Sequence, residues 1–196
     1  MLSIETVLDL YENSDKESNG CSRFVHPISD DIVIKFPKDF NSSGDISQSV
    51  NELHFYMKRV KPQHQHLVAK LIDFVLLPLD PVEKPHYLSP TEVPILFFER
   101  VEPLPSDFLR EFRGRSVLSV AQLWYGEEAG LAYYKELLQF CEETDLSDAI
   151  SNMSNWGITK DGRLVCLDCG IYCGSTISHV FSSDFYTPYS YSLYSS

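Results

Sequence analysis

Basic residues are scarce: 16 lysines and arginines stand against 28 aspartates and glutamates, a formal net charge of −12 over 196 residues. A surface of that sign repels a phosphate backbone and lacks the basic footprint that releases counterions, which excludes a general nucleic-acid binder. The one basic run, Lys58-Arg59-Val60-Lys61, reads as a solvated helix face. Cysteine is scarce too, and five in a chain of this length do not make a disulfide scaffold. No run approaches the roughly 18 apolar residues of a membrane-spanning helix. The start, MLSIETVLDLYENSDKE, lacks the basic-then-apolar order of a signal peptide. These absences point to a cytoplasmic protein that engages neither membrane nor nucleic acid. What is present suffices for a core: 43% of residues are apolar and 22% charged.

Metal-ligand spacing is also missing. Cys166, Cys169 and Cys173 supply one C-x-x-C and a stray thiol, without the second pair a zinc site requires. Cys166 lies in an apolar run, where a thiol behaves as a small buried hydrophobe. The string Gln63-His64-Gln65-His66 reads as an exposed loop after Pro62.

The chain divides at Pro103 and Pro105. Before them, Ser3 to Tyr11 has the spacing of a short amphipathic helix capped by Ser3. Arg23–His26 and Asp31–Phe36 read as a hairpin, and Lys38–Ser49 as a loop rich in Ser, Asn, Asp and Gly. Val50–Val60 has helical periodicity and ends at Pro62. Leu67–Leu77 and Val93–Val101 read as strands, with Pro94 tolerable only near a strand start. Four prolines make Pro78–Pro90 a loop. After the joint, Ser119–Glu143 is helical and open to division at Gly126 or Gly130. Trp156–Thr159 and Arg163–Leu167 flank Lys160-Asp161-Gly162, a strong hairpin signal. The Ser- and Tyr-rich tail from Phe181 has no periodicity.

Three charged residues sit where burial makes an unpaired charge costly: Lys35 in a strand, Glu52 in the following helix, and Asp168 after the last strand. Pairing Lys35 with Glu52 and leaving Asp168 facing a metal ion is the economical arrangement. Singly, each has a plainer reading: a snorkelling lysine, a helix-surface acid, a turn residue. Asn155 alone could be a cap, and Trp156 reads as core.

Taken in order, these motifs resemble the protein-kinase-like fold, nearest to small kinase-like proteins of bacteriophages and bacteria. Gly20-Cys21-Ser22-Arg23-Phe24-Val25 resembles a degenerate glycine-rich loop, and Ile32-Val33-Ile34-Lys35 the strand that carries the phosphate-binding lysine. Glu52 matches the helix glutamate, and Phe98 to Glu102 the hinge. The block NWGITKDGRLVCLDCG, from Asn155 to Gly170, matches the catalytic-loop asparagine and the D-F-G segment. The resemblance implies an α+β, two-lobed fold: a β-rich lobe over residues 1–102 and a truncated, mainly helical lobe over 103–196. It implies ATP and Mg²⁺ as cofactors. Cys21, Ser22, Val25, Lys35, Phe98, Glu99 and Val101 would line the nucleotide site, and Asn155 and Asp168 would hold the metal. Lys35 and Glu52 would serve the transfer directly.

The catalytic base departs from the family pattern. Five residues before Asn155 stands Ile150 rather than Asp; Asp148, seven before, is the preferred candidate and Asp145, ten before, the other. No Ala-Pro-Glu string follows Asp168, so the usual peptide platform is missing. The resemblance implies a minimal kinase acting on a Ser, Thr or Tyr hydroxyl of a partner protein or of itself. The alternative is a pseudokinase-type module that binds a host protein, with or without ATP, placed in the host cytoplasm if the chain is a phage protein or effector. An unrelated α+β binding protein is the third reading.

Overall fold

The computed structural model describes residues 2–14, 23–40, 42–78, 92–105, 107–108, 116–146 and 153–169. The first helix, α1 (Ile4–Glu12), starts where Ser3 Oγ accepts the Thr6 N–H at 3.2 Å, so the serine cap works as its position suggests. Strands β1 (Arg23–Pro27) and β2 (Ile32–Pro37) form the anticipated hairpin, its turn held by Ser29 Oγ, which accepts the amides of Asp31 and Ile32.

Helix α2 (Ser43–Lys58) starts a full two turns before the sequence reading placed it, which corrects the loop assigned to Lys38–Ser49. Ser42 Oγ accepts the Asp45 N–H at 3.3 Å, and Ile46 and Val50, four apart and both buried, carry the apolar stripe forward. The turn-forming residues of that stretch are capping residues in use. A 3₁₀ segment, Pro62–Leu67, follows, and it buries His64 with its ring 5.1 Å from that of Phe140. The exposed loop read for this string is thereby corrected at His64.

Strands β3 (Leu71–Pro78) and β4 (Glu92–Glu99) complete an antiparallel sheet in the order β1-β2-β4-β3. Pro94 is tolerated because the β2 ladder with β4 ends at Leu96, so at Pro94 the strand pairs only with β3. The single strand read over Val93–Val101 is broken at Arg100. Its N–H, bonded to Asp31 O at 2.8 Å, makes the last rung in register with β2, and β5 (Val101–Pro103) enters a second sheet. The division read at residue 102 therefore falls inside β5.

Helices α3 (Val117–Tyr125) and α4 (Glu127–Thr144) are separated at Gly126, whose φ of 88° suits glycine. Gly130 belongs to α4: a Cβ there would lie 2.4 Å from Gln122 Cα, so its hydrogen lets the two helices touch. The hairpin β6 (Trp156–Thr159) and β7 (Leu164–Cys166) turns at Gly162, φ 84°, and joins β5 in the order β5-β6-β7.

The result is a mixed α+β protein with two antiparallel sheets. One face of the larger sheet (Phe24, Ile34, Phe36, Ile95, Phe97) packs with Val7 of α1 and with Ile46 and Val50. A second core joins Phe55 to α3, α4 and the β6–β7 hairpin around Trp156, which is fully buried. Leu53, Ala69, Leu96, Phe98 and Val165 form a third cluster, and Ala69 N–H donates to Cys166 O at 2.9 Å, tying the two sheets together. No helix among the described residues is long and apolar enough to cross a membrane.

Candidate functional site

Side chains alternate along β2, so Ile34 and Phe36 face α1 while Lys35 faces the other way. Its ammonium donates to Glu52 Oε1 at 2.9 Å and to Leu167 O at 2.6 Å, and lies 4.3 Å over the Phe98 ring. Glu52 has no solvent exposure, and its Oε1 also accepts the Cys169 N–H at 3.3 Å. Residues 35, 52 and 167–169, far apart in sequence, therefore meet at one point. Asp168 comes into the same cluster through a partner the sequence reading missed.

That partner is Arg23, 6% exposed at the start of β1. Its guanidinium donates from Nη1 to Glu52 Oε2 and from Nη2 to Asp168 Oδ1, the latter at 2.5 Å. Burial alone would lower the Arg23 pKa, but the Glu52 and Asp168 carboxylates outweigh it and raise the value, so the group stays charged. Two cations thus face two carboxylates. The register explains the placement: Val25 lies opposite Lys35, so Arg23, two residues away, shares its face of the sheet.

The other residues singled out fall into place unevenly. Asn155 ends a 3₁₀ turn (Met153–Asn155), and its carbonyl accepts the Leu167 N–H at 2.7 Å, which sets its backbone beside the residue preceding Asp168. Val25 is half-buried opposite Lys35, and Phe98 is buried beneath the ammonium. The Glu99 carboxylate accepts the Lys70 N–H at 2.7 Å and Arg163 Nη2 at 2.8 Å. Hinge amides are partly engaged: Glu99 N–H bonds Lys70 O and Arg100 N–H bonds Asp31 O.

Val101 is different. Leu104 N–H bonds Trp156 O at 3.1 Å, which makes those two a hydrogen-bonded pair of the β5–β6 ladder. By the antiparallel alternation, Val101 opposite Thr159 is then a non-bonded pair whose N–H and C=O point away from β6. Pro103, which has no N–H, occupies an equivalent position. Asp145 is exposed at the C-cap of α4, in the left-handed region at φ 59°. Cys21, Ser22 and Asp148 lie outside the described residues.

Of the two expected metal ligands, Asp168 is already engaged by a cation of the chain itself. Mg²⁺ wants several oxygen ligands in near-octahedral order, whereas Asp168 Oδ1 is already bound by Arg23. Among the described residues no group of three or more His, Cys, Asp or Glu side chains is gathered for a metal. Cys166 and Cys169 are buried thiols, as the apolar run around Cys166 suggested, and burial first, then the neighbouring Cys166, pushes the Cys169 pKa well up. An open groove of about 460 Å³ lies elsewhere, bounded by Asp30, Arg100, Glu102, Ile158, Thr159 and Lys160. Neither Lys35 nor Asp168 lines it, so it is a separate surface feature. A scan against protein-family models and a search of curated proteins both find no match to this chain.

Proposed function

We propose that this chain is a divergent, two-lobed protein-kinase-like protein that binds ATP between its two sheets and transfers phosphate to a Ser, Thr or Tyr hydroxyl of a partner protein or of itself. The observation that carries the reading is the 2.9 Å ion pair between Lys35 and Glu52, with the same ammonium bonded to the carbonyl before Asp168. Supporting it is the order strand, strand, helix, strand, strand, with the glutamate helix following the lysine strand and sheet order β1-β2-β4-β3. Lys35 serves the triphosphate, and Glu52 holds its rotamer with one oxygen while the Cys169 amide holds Glu52. Val25, Phe98 and the stem of Lys35 supply the apolar wall for the base, and the outward-pointing polar groups of Val101 suit its edge.

A second reading, a pseudokinase-type interaction module, has its own support in the Arg23–Asp168 contact and in Ile150 at the position of the base. The kinase reading requires nucleotide binding, which the pseudokinase-type module can have or lack, and the two part at turnover. Purified protein is melted with and without ATP, then incubated with γ-labelled ATP, with and without Mg²⁺ and candidate acceptors. A rise in melting temperature that Lys35→Met abolishes supports both readings, and label transfer selects the first. No shift and no transfer removes the first and favours an unrelated α+β binding protein.

A further inference from the structure

We propose that Arg23 fills the cation position at Asp168, so that this cleft takes a nucleoside triphosphate as the metal-free anion. The inference rests on the nucleotide reading above. Glu52 divides its two oxygens between two cations, Oε1 to Lys35 and Oε2 to Arg23, and Arg23 spans on to Asp168 Oδ1. The quartet is neutral as it stands. A divalent ion approaching Asp168 meets a guanidinium nitrogen 2.5 Å from the oxygen it needs, while Mg²⁺ requires its own oxygens at about 2.0–2.1 Å. That oxygen is already engaged by a cation of the chain itself.

Arg23 is also poorly placed to leave. It is 6% exposed, anchored by the β1–β2 ladder through Arg23 opposite Pro37, and tied to a carboxylate with no solvent exposure. Removing it from Glu52 would strand a buried charge. Asp168, by contrast, has a 42% exposed side chain, so the contact is open to an incoming ligand on the Asp168 side. A guanidinium carries five N–H donors in a planar fork that suits phosphate oxygens. With Lys35 alongside, it gives a polyanion two fixed cations on one face of the sheet.

The test compares ATP titrations of the full chain in EDTA and in excess Mg²⁺, with a separate titration of Mn²⁺ alone followed by electron paramagnetic resonance. The proposal expects ATP affinity in EDTA to equal or exceed that in Mg²⁺, and no stoichiometric Mn²⁺ binding by the wild type. Arg23→Gln should acquire a Mn²⁺ site that Asp168→Asn removes, while Arg23→Lys should not. A tenfold or greater loss of ATP affinity in EDTA overturns it. So does a wild-type Mn²⁺ site abolished by Asp168→Asn. Both of these wild-type arms stand even if an Arg23 variant fails to fold. Should ATP bind in neither condition, the nucleotide reading and the metal-free claim fall together, and the Mn²⁺ arm alone decides whether Arg23 excludes a metal.

Discussion

Replacing Glu52 with glutamine separates the charge of the site from its shape. The side chain keeps its size in a position with no solvent exposure, but the carboxylate that served Lys35, Arg23 and the Cys169 amide becomes one acceptor and one donor. The amide NH₂ must then face one of two cations that themselves only donate. Removing one partner of a buried ion pair costs about 3–5 kcal/mol. For a domain of this size that lowers the melting temperature by roughly 6–20 °C. Lys35→Met is the informative comparison. It leaves Glu52 with Arg23 and the Cys169 amide, and strands only the Leu167 carbonyl, a loss of about 1–3 kcal/mol. Asp168→Asn should cost least, because a 42% exposed side chain recovers its hydration. Urea unfolding of the three variants reads the order directly. Glu52→Gln within 1 kcal/mol of wild type, or cheaper than Lys35→Met, would refute the claim that Glu52 is the hub of the cluster.

Further outcomes are accessible to the same methods. Gly130→Ala should destabilise by about 1–3 kcal/mol, since its Cβ would meet the Gln122 backbone at 2.4 Å; Gly44→Ala, which meets only Ser42 Oγ at 3.8 Å, should instead be neutral or stabilise by up to about 1 kcal/mol in urea titrations. Tyr133→Phe removes a buried bond to Leu164 O at 2.7 Å and should cost about 1 kcal/mol, read from the same unfolding curves. Burial, then the neighbouring Cys166, raises the Cys141 thiol from 9.0 to about 12. Its contribution to stability is therefore complete below pH 9 and is lost as pH rises from 9 towards 12, as unfolded thiols ionise first. Alkylation followed by mass spectrometry at pH 8.5 should leave Cys141 and Cys169 unmodified in the native protein and modify both in urea.

Sequence pattern was sufficient for elements whose signal is local. The Ser3 cap, the β1–β2 hairpin and the Asp161-Gly162 turn depend on a few adjacent residues, and each formed where its chemistry predicted. It failed where a residue type has two uses. Ser42 and Asp45 belong equally to a loop and to a helix start, and only the buried spacing of Ile46 and Val50 decides. The strand breaks at Arg100 because Val101–Pro103 pair with β6 in the second sheet, a long-range pairing that no window of sequence reveals. Within the site, Lys35, Glu52 and Asp168 were legible because charge in an apolar segment needs a partner. Arg23 was not, since an arginine at a strand end is ordinary until the register sets it beside Lys35.

The account turns on whether the Lys35 ammonium meets a triphosphate, and an acyl-phosphate derivative of ATP, which acylates lysines at the phosphate position, tests that contact directly. Peptide mapping after brief labelling should find Lys35 modified, with modification suppressed by excess ATP. Labelling spread over the exposed lysines, such as Lys61 and Lys160, with Lys35 unmodified and no protection by ATP, would contradict it.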